Sequence, residues 1–550
     1  MTESTEKQTA QDITSQLWAM ANVLRGNMDA NEFRNYILGF MFYRYLSEHQ
    51  ENYLKTENIV DIIEDESVNY AYIREAKDDV EDYIKDIAGE LGYAIRPEYT
   101  WATIVEKVKN DDIKPSDFQD MFDDFRKNSS ININAKNDFS EIFADVNLGN
   151  SRLGNSTTAR ARALSDIILM VDKFDYTNDS GHDILGDVYE YLIAQFAGNS
   201  GKKAGEFYTP HQVSVVLAKL ATIDAPTSGQ FSVYDPTMGS GSLLLTVQEQ
   251  LVNGFEKGRV HFHGQELNTT TYNLARMNLM MHGVDYQNMD LRNGDTLESD
   301  WPDGEVDGID RPRSFDAVVA NPPYSQQWDN NINKMKDPRF KDYGKLAPKS
   351  KADFAFVLHG IYHLKDSGRM AIVLPHGVLF RGAAEGLIRQ TLIEKNYLDA
   401  VIGLPAGIFY STGIPTVVLV FKKNRTNKDV LFIDASNDFE KAKNQNILRE
   451  QDIDKIFTTY QDRQDVDKYA HVASLDEIKE NDYNLNIPRY VDTFEEEPPV
   501  DIVAVTKEIA DIDQQIDTLE TKLLADINDL VGSDDETNAQ IAALKQLFSK

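Results

Sequence analysis

Apolar residues recur at helical spacing near the start of this 550-residue chain. Leu24, Phe33, Ile37, Phe40 and Met41 fall at helical spacings, with a step of four from Phe33 to Ile37 and steps of three and four from Ile37 to Phe40 and Met41. Residues at this spacing share one face of a helix, so the pattern predicts amphipathic helices with one buried face. Residues 1–165 are therefore predicted to form a helical N-terminal domain.

A different pattern holds from 166 to 436, where short apolar runs alternate with amphipathic segments. Strands are predicted near 231–235, 260–266, 286–292, 315–320, 369–375, 398–404, 415–422 and 430–434. Helices are predicted near 211–223, 241–254, 268–283, 352–364 and 382–395. This alternation is typical of a doubly wound, mostly parallel α/β sheet. The strands on either side of Gly413 have no helix between them, which is compatible with a hairpin.

The chain becomes polar and charged after 436, so 437–500 is predicted to be a polar extension and linker. Residues 501–550 carry apolar residues at spacings of 4, 3, 4, 3, 4, 4 and 3, close to the repeat of a coiled coil. The stripe consists of Val505, Ile509, Ile512, Ile516, Leu519, Leu523, Ile527 and Leu530. It is compatible with a coiled-coil contact to a partner helix or with a helix docked on its own domain.

The tetrapeptide Asn321-Pro322-Pro323-Tyr324 directly follows the apolar run 315–320. Ligands of α/β sheets bind at the carboxyl ends of strands, so this is a candidate site. The side-chain carbonyl of Asn321 and the backbone carbonyl of Pro322 can accept both hydrogens of an exocyclic amine. The prolines fix the backbone, and Tyr324 offers a face on which a base can stack. Taken alone, the motif is equally compatible with a proline turn whose aromatic ring packs on the core.

Glycines and acids end the earlier predicted strands. The segment 235–241, Asp-Pro-Thr-Met-Gly-Ser-Gly, links a strand to a helix, where glycines permit a tight turn and close approach of a ligand. The third glycine of a dinucleotide fingerprint is missing. Glu266 ends the next strand, where ribose hydroxyls bind, and Asp295 follows with a carboxylate for an adenine amine. Each acid alone is better explained as a cap, whereas the ordered set indicates a nucleoside site.

Three segments together resemble S-adenosylmethionine-dependent N6-adenine DNA methyltransferases, namely 206–210, 235–241 and 321–324. Over nearly its whole length the chain more closely resembles the modification (M) subunit of type I restriction-modification systems, including the stretches 403–410 and 484–490. The order of the motifs matches the γ arrangement of such enzymes. The resemblance implies a class I, Rossmann-like methyltransferase domain beside the helical domain, with a C-terminal coiled-coil helix for subunit contact.

The resemblance also implies roles for individual residues, and it implies no metal site. The catalytic residues would be Asn321, Pro322, Pro323 and Tyr324. The residues that bind S-adenosylmethionine would be Glu206, Phe207, Tyr208, Thr209, Pro210, Asp235, Thr237, Gly239, Ser240, Gly241, Glu266, Asp295 and Leu297. Two hydrogen bonds to the target amine would disperse the positive charge that develops on it, so neither a metal nor a covalent nucleophile is needed. A target adenine in duplex DNA must first be flipped out, at a cost of roughly a few kcal/mol.

The composition indicates where in the cell the protein is located and which partners it needs. The chain has no cysteine, no apolar run of membrane-spanning length and a polar N-terminus, which predicts a cytoplasmic protein without membrane contact. A net charge of -34 opposes binding to DNA phosphates, so another subunit is expected to grip the DNA. Locally, 325–351 has seven basic residues against three acidic ones and is interpreted as a lid over the flipped adenine or as a solvated loop.

The resemblance implies a set of partners: duplex DNA, a specificity (S) subunit that reads the sequence, with two copies of this chain for each S subunit, and restriction (R) subunits in some complexes. The residues after 436 suit the reading of base edges badly, because they are acidic and partly coiled coil, so another chain is expected to choose the sequence. Alternatives are a stand-alone adenine methyltransferase, an RNA or protein-glutamine methyltransferase, and a non-catalytic scaffold of the complex.

Overall fold

The computed structural model describes residues 15–19, 28, 30–139, 141–174, 176, 185–199, 209–298, 304–306, 309–409, 413–442, 445–493 and 501–548. They divide into two compact units, one ending at Asp492 and the other beginning at Thr493.

The N-terminal part of the first unit is helical, as the apolar spacing predicts. Phe33, Ile37 and Phe40 are buried, whereas Leu24 lies outside the described residues. Polar residues start several helices; the Ser156 hydroxyl, for example, accepts a hydrogen bond from a backbone N–H in the first turn that follows. The helices are α1 (Ala30–Thr56), α2 (Val68–Glu75), α3 (Val80–Leu91), α4 (Trp101–Lys109), α5 (Pro115–Asn128), α6 (Lys136–Phe139), α7 (Thr157–Asp172) and α8 (Leu185–Asn199).

Strands and further helices follow the helical part. The strands are β1 (Phe231–Asp235), β2 (Val260–Glu266), β3 (Met289–Asn293), β4 (Gly304–Val306), β5 (Ile309–Arg311), β6 (Phe315–Ala320), β7 (Leu364–Pro375), β8 (Leu398–Gly403), β9 (Thr416–Lys422), β10 (Val430–Asp434), β11 (Glu440–Lys441), β12 (Asn446–Ile447) and β13 (Ala470–Ala473). Nine of these strands form one sheet in the order β13-β10-β8-β9-β7-β6-β1-β2-β3, whereas the pairs β4–β5 and β11–β12 form two small separate sheets. The accompanying helices are α9 (His211–Thr222), α10 (Ser242–Glu249), α11 (Thr269–Met281), α12 (Asp353–Tyr362), α13 (Ala383–Glu394), α14 (Glu450–Asp462) and α15 (Leu475–Glu480).

The centre of the sheet is parallel, and its strand order reverses between β1 and β6. Strand β1 pairs in parallel with β2 on one side and with β6 on the other. Such a reversal leaves a crevice at the carboxyl ends of the two strands, which is where α/β proteins bind ligands. Strand β9 runs antiparallel to both β7 and β8, so the predicted antiparallel pairing of the strands that flank Gly413 is confirmed.

Side chains of β6 point alternately to the two faces of the sheet, as in any strand, so alternate residues belong to different apolar cores. Ala317 and Val319 join a core that is continuous with the helical N-terminal part. Val318 and Ala320 join the core on the other face, together with residues of α12 and α13. The central strands are therefore covered on both faces, which matches the prediction of a doubly wound α/β sheet.

Residues 437–492 differ from the predicted polar extension and linker. They lie inside the first unit, and β13 pairs antiparallel with β10 at the end of the sheet. The Tyr490 ring stacks on Phe432 of β10 with the ring centres 3.9 Å apart. The polar composition of this stretch arises because most of its residues face outward while a few apolar anchors pack against the sheet.

The second unit contains two helices, α16 (Ile502–Asn528) and α17 (Asp535–Phe548). Within this unit Ile527 is buried, whereas Val505, Ile509, Ile512 and the rest of the predicted stripe are exposed. A coiled-coil contact through this stripe stays a prediction. Across the described part of the chain, no helix combines the length and apolar character that a membrane span needs.

Candidate active site

The loop after β1 forms one wall of a cleft at the switch point. Gly239 and Gly241 adopt the left-handed backbone region, with φ values of +56° and +80°. This region is accessible to glycine without a steric cost, so the chain can turn sharply into α10. At Gly241 space is also short, because a Cβ would lie 2.5 Å from a side-chain carbon of Leu279.

Two predicted strand-end acids, Asp235 and Glu266, organise this loop. Asp235 is 1% exposed, and its carboxylate accepts a hydrogen bond from the backbone N–H of Thr237 at 2.9 Å. Burial raises the pKa of Asp235 to about 7, although the Thr237 hydrogen bonds oppose this shift. Glu266 accepts from the backbone N–H groups of Gly239 at 3.2 Å and Asn268 at 2.7 Å, and burial raises its pKa too. Both acids therefore hold the loop in shape while their side chains line the cleft.

The cleft has a volume of about 750 Å³, a size typical of sites for nucleotide-sized ligands. It brings together most of the residues that the sequence predicts. Those lining it are Thr209, Asp235, Thr237, Gly239, Ser240, Glu266, Asp295, Leu297, Asn321 and Pro323. Glycine backbone, carboxylates at two strand ends and the apolar Leu297 and Met238 form a lining that fits a nucleoside with a polar tail.

Other predicted residues lie beside the cleft or cannot be placed. Glu206, Phe207 and Tyr208 lie outside the described residues. Pro210 starts α9, where its carbonyl accepts from Val213 and Ser214. Gly241, Pro322 and Tyr324 flank the cleft without lining it.

The predicted catalytic motif is held by a contact with another of the sequence motifs, the segment 206–210. The Asn321 side-chain nitrogen donates to the Thr209 hydroxyl at 3.0 Å. An amide that donates on one side presents its carbonyl oxygen on the other, so this bond leaves the Asn321 oxygen as an acceptor. The prediction places Thr209 with the cofactor, whereas the structure places it against Asn321 as well as in the cleft.

Tyr324 has a half-buried ring and a buried hydroxyl. Its ring meets Phe409 edge-on, with ring centres 5.8 Å apart. Burial raises the pKa of Tyr324 far above its usual range, so the phenol stays protonated and is not a base. Stacking of a base on this ring stays a prediction.

The segment 325–352, between the motif and α12, is packed rather than loose. Its aromatic residues Trp328, Phe340 and Tyr343 are all buried, and the rings of Trp328 and Phe340 meet edge-on. This packing contradicts the interpretation as a merely solvated loop, whereas the lid over an adenine stays a prediction.

Several residues that line the cleft carry no motif and were not singled out from the sequence. They are Glu32, Arg34 and Asn35 from α1, whereas Gln326, Gln327 and Trp328 also line the cleft but belong to the segment 325–351 that was interpreted as a lid or a solvated loop. No local pattern marks them, because tertiary packing alone brings α1 to the cleft. In the described part of the chain no group of three or more His, Cys, Asp or Glu side chains is arranged to hold a metal ion.

Comparisons with known proteins agree with this architecture. A family model described as N-6 DNA Methylase matches residues 180–498, and one described as HsdM N-terminal domain matches residues 13–171. The chain is 37% identical over 532 residues to the type I restriction enzyme MpnII methylase subunit of Mycoplasma pneumoniae, a match that covers 94% of this chain and 96% of that protein. It is 30% identical over 526 residues to the MjaVIII methylase subunit of Methanocaldococcus jannaschii, covering 92% and 82%.

A solved structure gives the same result. The crystal structure of a type I restriction-modification methyltransferase subunit from Streptococcus thermophilus matches with a TM-score of 0.80 and 47% identity, covering 88% of this chain and 100% of that one. The sheet with its motif-bearing strand ends, the two family matches and these relatives lead to one conclusion. The chain belongs to the N-6 DNA methylase family and, within it, to the methylase subunits of type I restriction enzymes.

Proposed function

We propose that this chain transfers a methyl group from S-adenosylmethionine to the N6 amine of an adenine that has been flipped out of duplex DNA. The observation that carries the proposal is the position of Asn321, at the edge of the cleft with its amide nitrogen held by Thr209. The Asn321 oxygen is then an acceptor for one amine hydrogen, and the Pro322 carbonyl is the candidate acceptor for the other.

Different residues of the cleft would hold different parts of the cofactor. The loop from Asp235 to Gly241 would hold the methionine part together with Thr209, and the resemblance assigns residues 206–208 to the same task. Glu266 would accept from the ribose hydroxyls, since a carboxylate that receives two backbone N–H groups has further lone pairs to offer. Asp295 and Leu297 would bind the adenine ring. When bound, S-adenosylmethionine supplies the methyl group as a substituent of a sulfonium.

The contribution of the protein is then positioning and electrostatics. An aromatic amine is a weak nucleophile because its lone pair is delocalised into the ring. When two protein carbonyls accept hydrogen bonds from the amine, they favour a tetrahedral nitrogen and stabilise its developing positive charge. Holding the amine in a fixed place adds the advantage of proximity. The half-buried ring of Tyr324 is the candidate surface for stacking of the flipped base.

We further propose that DNA recognition comes from a partner. The chain carries 90 acidic against 56 basic residues, so its overall charge repels phosphate backbones. The exposed stripe on α16 is a candidate surface for helices of a specificity subunit, with two copies of this chain for each specificity subunit and with restriction subunits in some complexes. Action in the cytoplasm follows from this role.

The test is transfer of labelled methyl groups to unmethylated DNA, by this chain alone and with its specificity partner. Activity only with the partner is expected. Asn321→Ala should lower the rate about 100- to 1,000-fold, as loss of a group that stabilises transition-state charge does in other enzymes, while cofactor binding and complex assembly persist. Asn427→Ala is a matched control, because it removes an asparagine with one side-chain hydrogen bond away from the cleft. Full activity of Asn321→Ala would refute the assigned role, and label in protein or RNA instead of DNA would refute the substrate.

A further inference from the structure

Arg339 is a buried cation in the segment 325–352. It is 2% exposed, and its guanidinium binds both carboxylate oxygens of Asp337, at 3.0 and 2.7 Å. The same group donates to the backbone carbonyl of Thr296 at 2.8 Å and contacts the imidazole of His359 at 3.1 Å. An arginine that is buried only for packing is better replaced by an apolar side chain, so these directed contacts indicate a further role.

The contact with His359 fixes a chain of hydrogen bonds through the core. A guanidinium only donates, so His359 Nδ1 must accept from Arg339 and His359 Nε2 must carry the hydrogen. Nε2 then donates to the Tyr234 hydroxyl at 2.7 Å, and that hydroxyl donates to the side-chain oxygen of Gln265 at 2.6 Å. Burial, with the neighbouring His363 and Arg339, lowers the pKa of His359 well below its usual value, so the imidazole is neutral and this orientation is stable.

The residues of this hydrogen-bond network are sequence neighbours of residues that are predicted to bind the cofactor. Tyr234 immediately precedes Asp235 in β1, and Gln265 immediately precedes Glu266 in β2. Thr296 lies between Asp295 and Leu297, and all three line the cleft. Arg339 therefore connects the segment after the catalytic motif to three strand ends at once.

A second anchor reinforces the first. Lys334 donates to the carbonyl of Leu297 at 3.0 Å and to the carboxylate of Glu298 at 2.6 Å. Between the motif and Lys334, the residues Gln326, Gln327 and Trp328 line the cleft themselves. Any movement of the segment thus moves one wall of the cleft.

We propose that Arg339 is a positioning residue that couples occupancy of the cofactor cleft to the ordering of segment 325–352. The proposal rests on the proposed function in one respect, the identity of the ligand as S-adenosylmethionine. Ligand binding fixes the three strand ends, and the network through Arg339 transmits this order to the segment that follows Asn321. Loss of Arg339 uncouples the two.

The experiment measures cofactor binding by calorimetry without DNA, and hydrogen exchange of the backbone amides of 325–352 with and without S-adenosylmethionine. The variants are Arg339→Gln, which removes the charge, and Tyr234→Phe, which breaks the chain at its centre while keeping the ring that stacks on Phe315. Arg313→Gln is the control, because Arg313 is half exposed and pairs with Asp290 outside the cleft.

In the wild-type protein the cofactor should slow exchange in 325–352. In Arg339→Gln and in Tyr234→Phe this protection should shrink and Kd should rise about 5- to 50-fold, a typical range for coupling between two sites. In the assembled complex, KM for the cofactor should rise more than kcat falls. Arg313→Gln should match the wild type in every readout.

The outcomes separate the two proposals. If the wild-type protein binds S-adenosylmethionine and both variants keep its affinity and its protection of 325–352, the coupling is overturned. The proposed function would still stand. Absence of binding by the wild-type protein would overturn both. If Arg339→Gln does not fold, Tyr234→Phe decides alone, because it leaves the segment and its ion pair intact.

Discussion

Replacing Thr209 by valine tests whether its hydroxyl orients Asn321, the proposed catalytic asparagine. The Thr209 oxygen lies 3.0 Å from the side-chain nitrogen of Asn321, which donates to it. Valine has nearly the same shape and cannot accept a hydrogen bond. Packing at 209 is therefore retained, whereas the Asn321 amide is free to rotate and present its NH2 group, instead of its oxygen, to the target amine.

The size of the effect follows from the single bond that is lost. One hydrogen bond of this kind contributes about 0.5–1.5 kcal/mol net. Since about 1.4 kcal/mol corresponds to a tenfold change in rate, methyl transfer at saturating cofactor should slow about 2- to 12-fold. Because Thr209 also lines the cleft, cofactor affinity should fall as well, by no more than about the same factor. Thr209→Ser keeps the hydroxyl and should retain most of the rate.

The assay is single-turnover transfer of labelled methyl groups by the complex with its specificity partner, with cofactor binding measured separately on the same preparations. Thr209→Val with an unchanged rate at saturating cofactor and weaker cofactor binding would refute this reasoning. Thr209 would then act only on the cofactor, as the resemblance implies.

Three further changes have defined expectations. Gly241→Ala should lower the free energy of unfolding by about 2–4 kcal/mol and weaken cofactor binding, because it combines a left-handed backbone with a clash. Gly258→Ala, with φ +72° and open space around its Cβ, should cost only about 1–2 kcal/mol. Thermal unfolding and calorimetry compare the two variants, and equal losses would contradict the clash. Glu51→Gln should raise the melting temperature at pH 8 but not near pH 4.5. Burial raises the pKa of Glu51 from 4.5 to about 7. Ionisation of Glu51 therefore destabilises the folded wild type as pH rises through this window, by on the order of 1 kcal/mol. A difference in melting temperature that does not depend on pH would contradict this reasoning. Ile516→Glu on the exposed stripe of α16 should abolish co-purification with the specificity subunit and leave cofactor binding intact, and retained co-purification would exclude the stripe as the contact.

Much of the fold follows from local patterns. The apolar runs that predict β1, β6 and β9 form strands because each is buried on both faces, and such runs have few alternatives in a domain of this size. The glycine loop at 239–241 and the motif at 321–324 are equally local, since the conformations they require depend on glycine and proline within a few residues.

The remaining features depend on residues that are distant in sequence. Thr209 and Asn321 lie 112 positions apart, and their hydrogen bond requires α9 and β6 to be placed first. The buried position of Arg339 has no local signal, because arginine in a polar stretch is ordinarily exposed. Strand β13 is only four residues long and half-buried in part, so its alternation is too short to separate it from the loops around it.

That short strand has a consequence for how the protein can be divided. Strand β10 is buried and apolar from Val430 to Ile433, and β13 occupies its outer edge by antiparallel pairing. A truncation at 436, where the chain turns polar, would strip β13 and leave a row of unpaired backbone N–H and C=O groups beside an apolar face. Such an edge is a template for pairing with other chains, so the shortened protein should aggregate, while one ending at 492 should not. A polar stretch of the first unit is thus what protects its sheet from self-association.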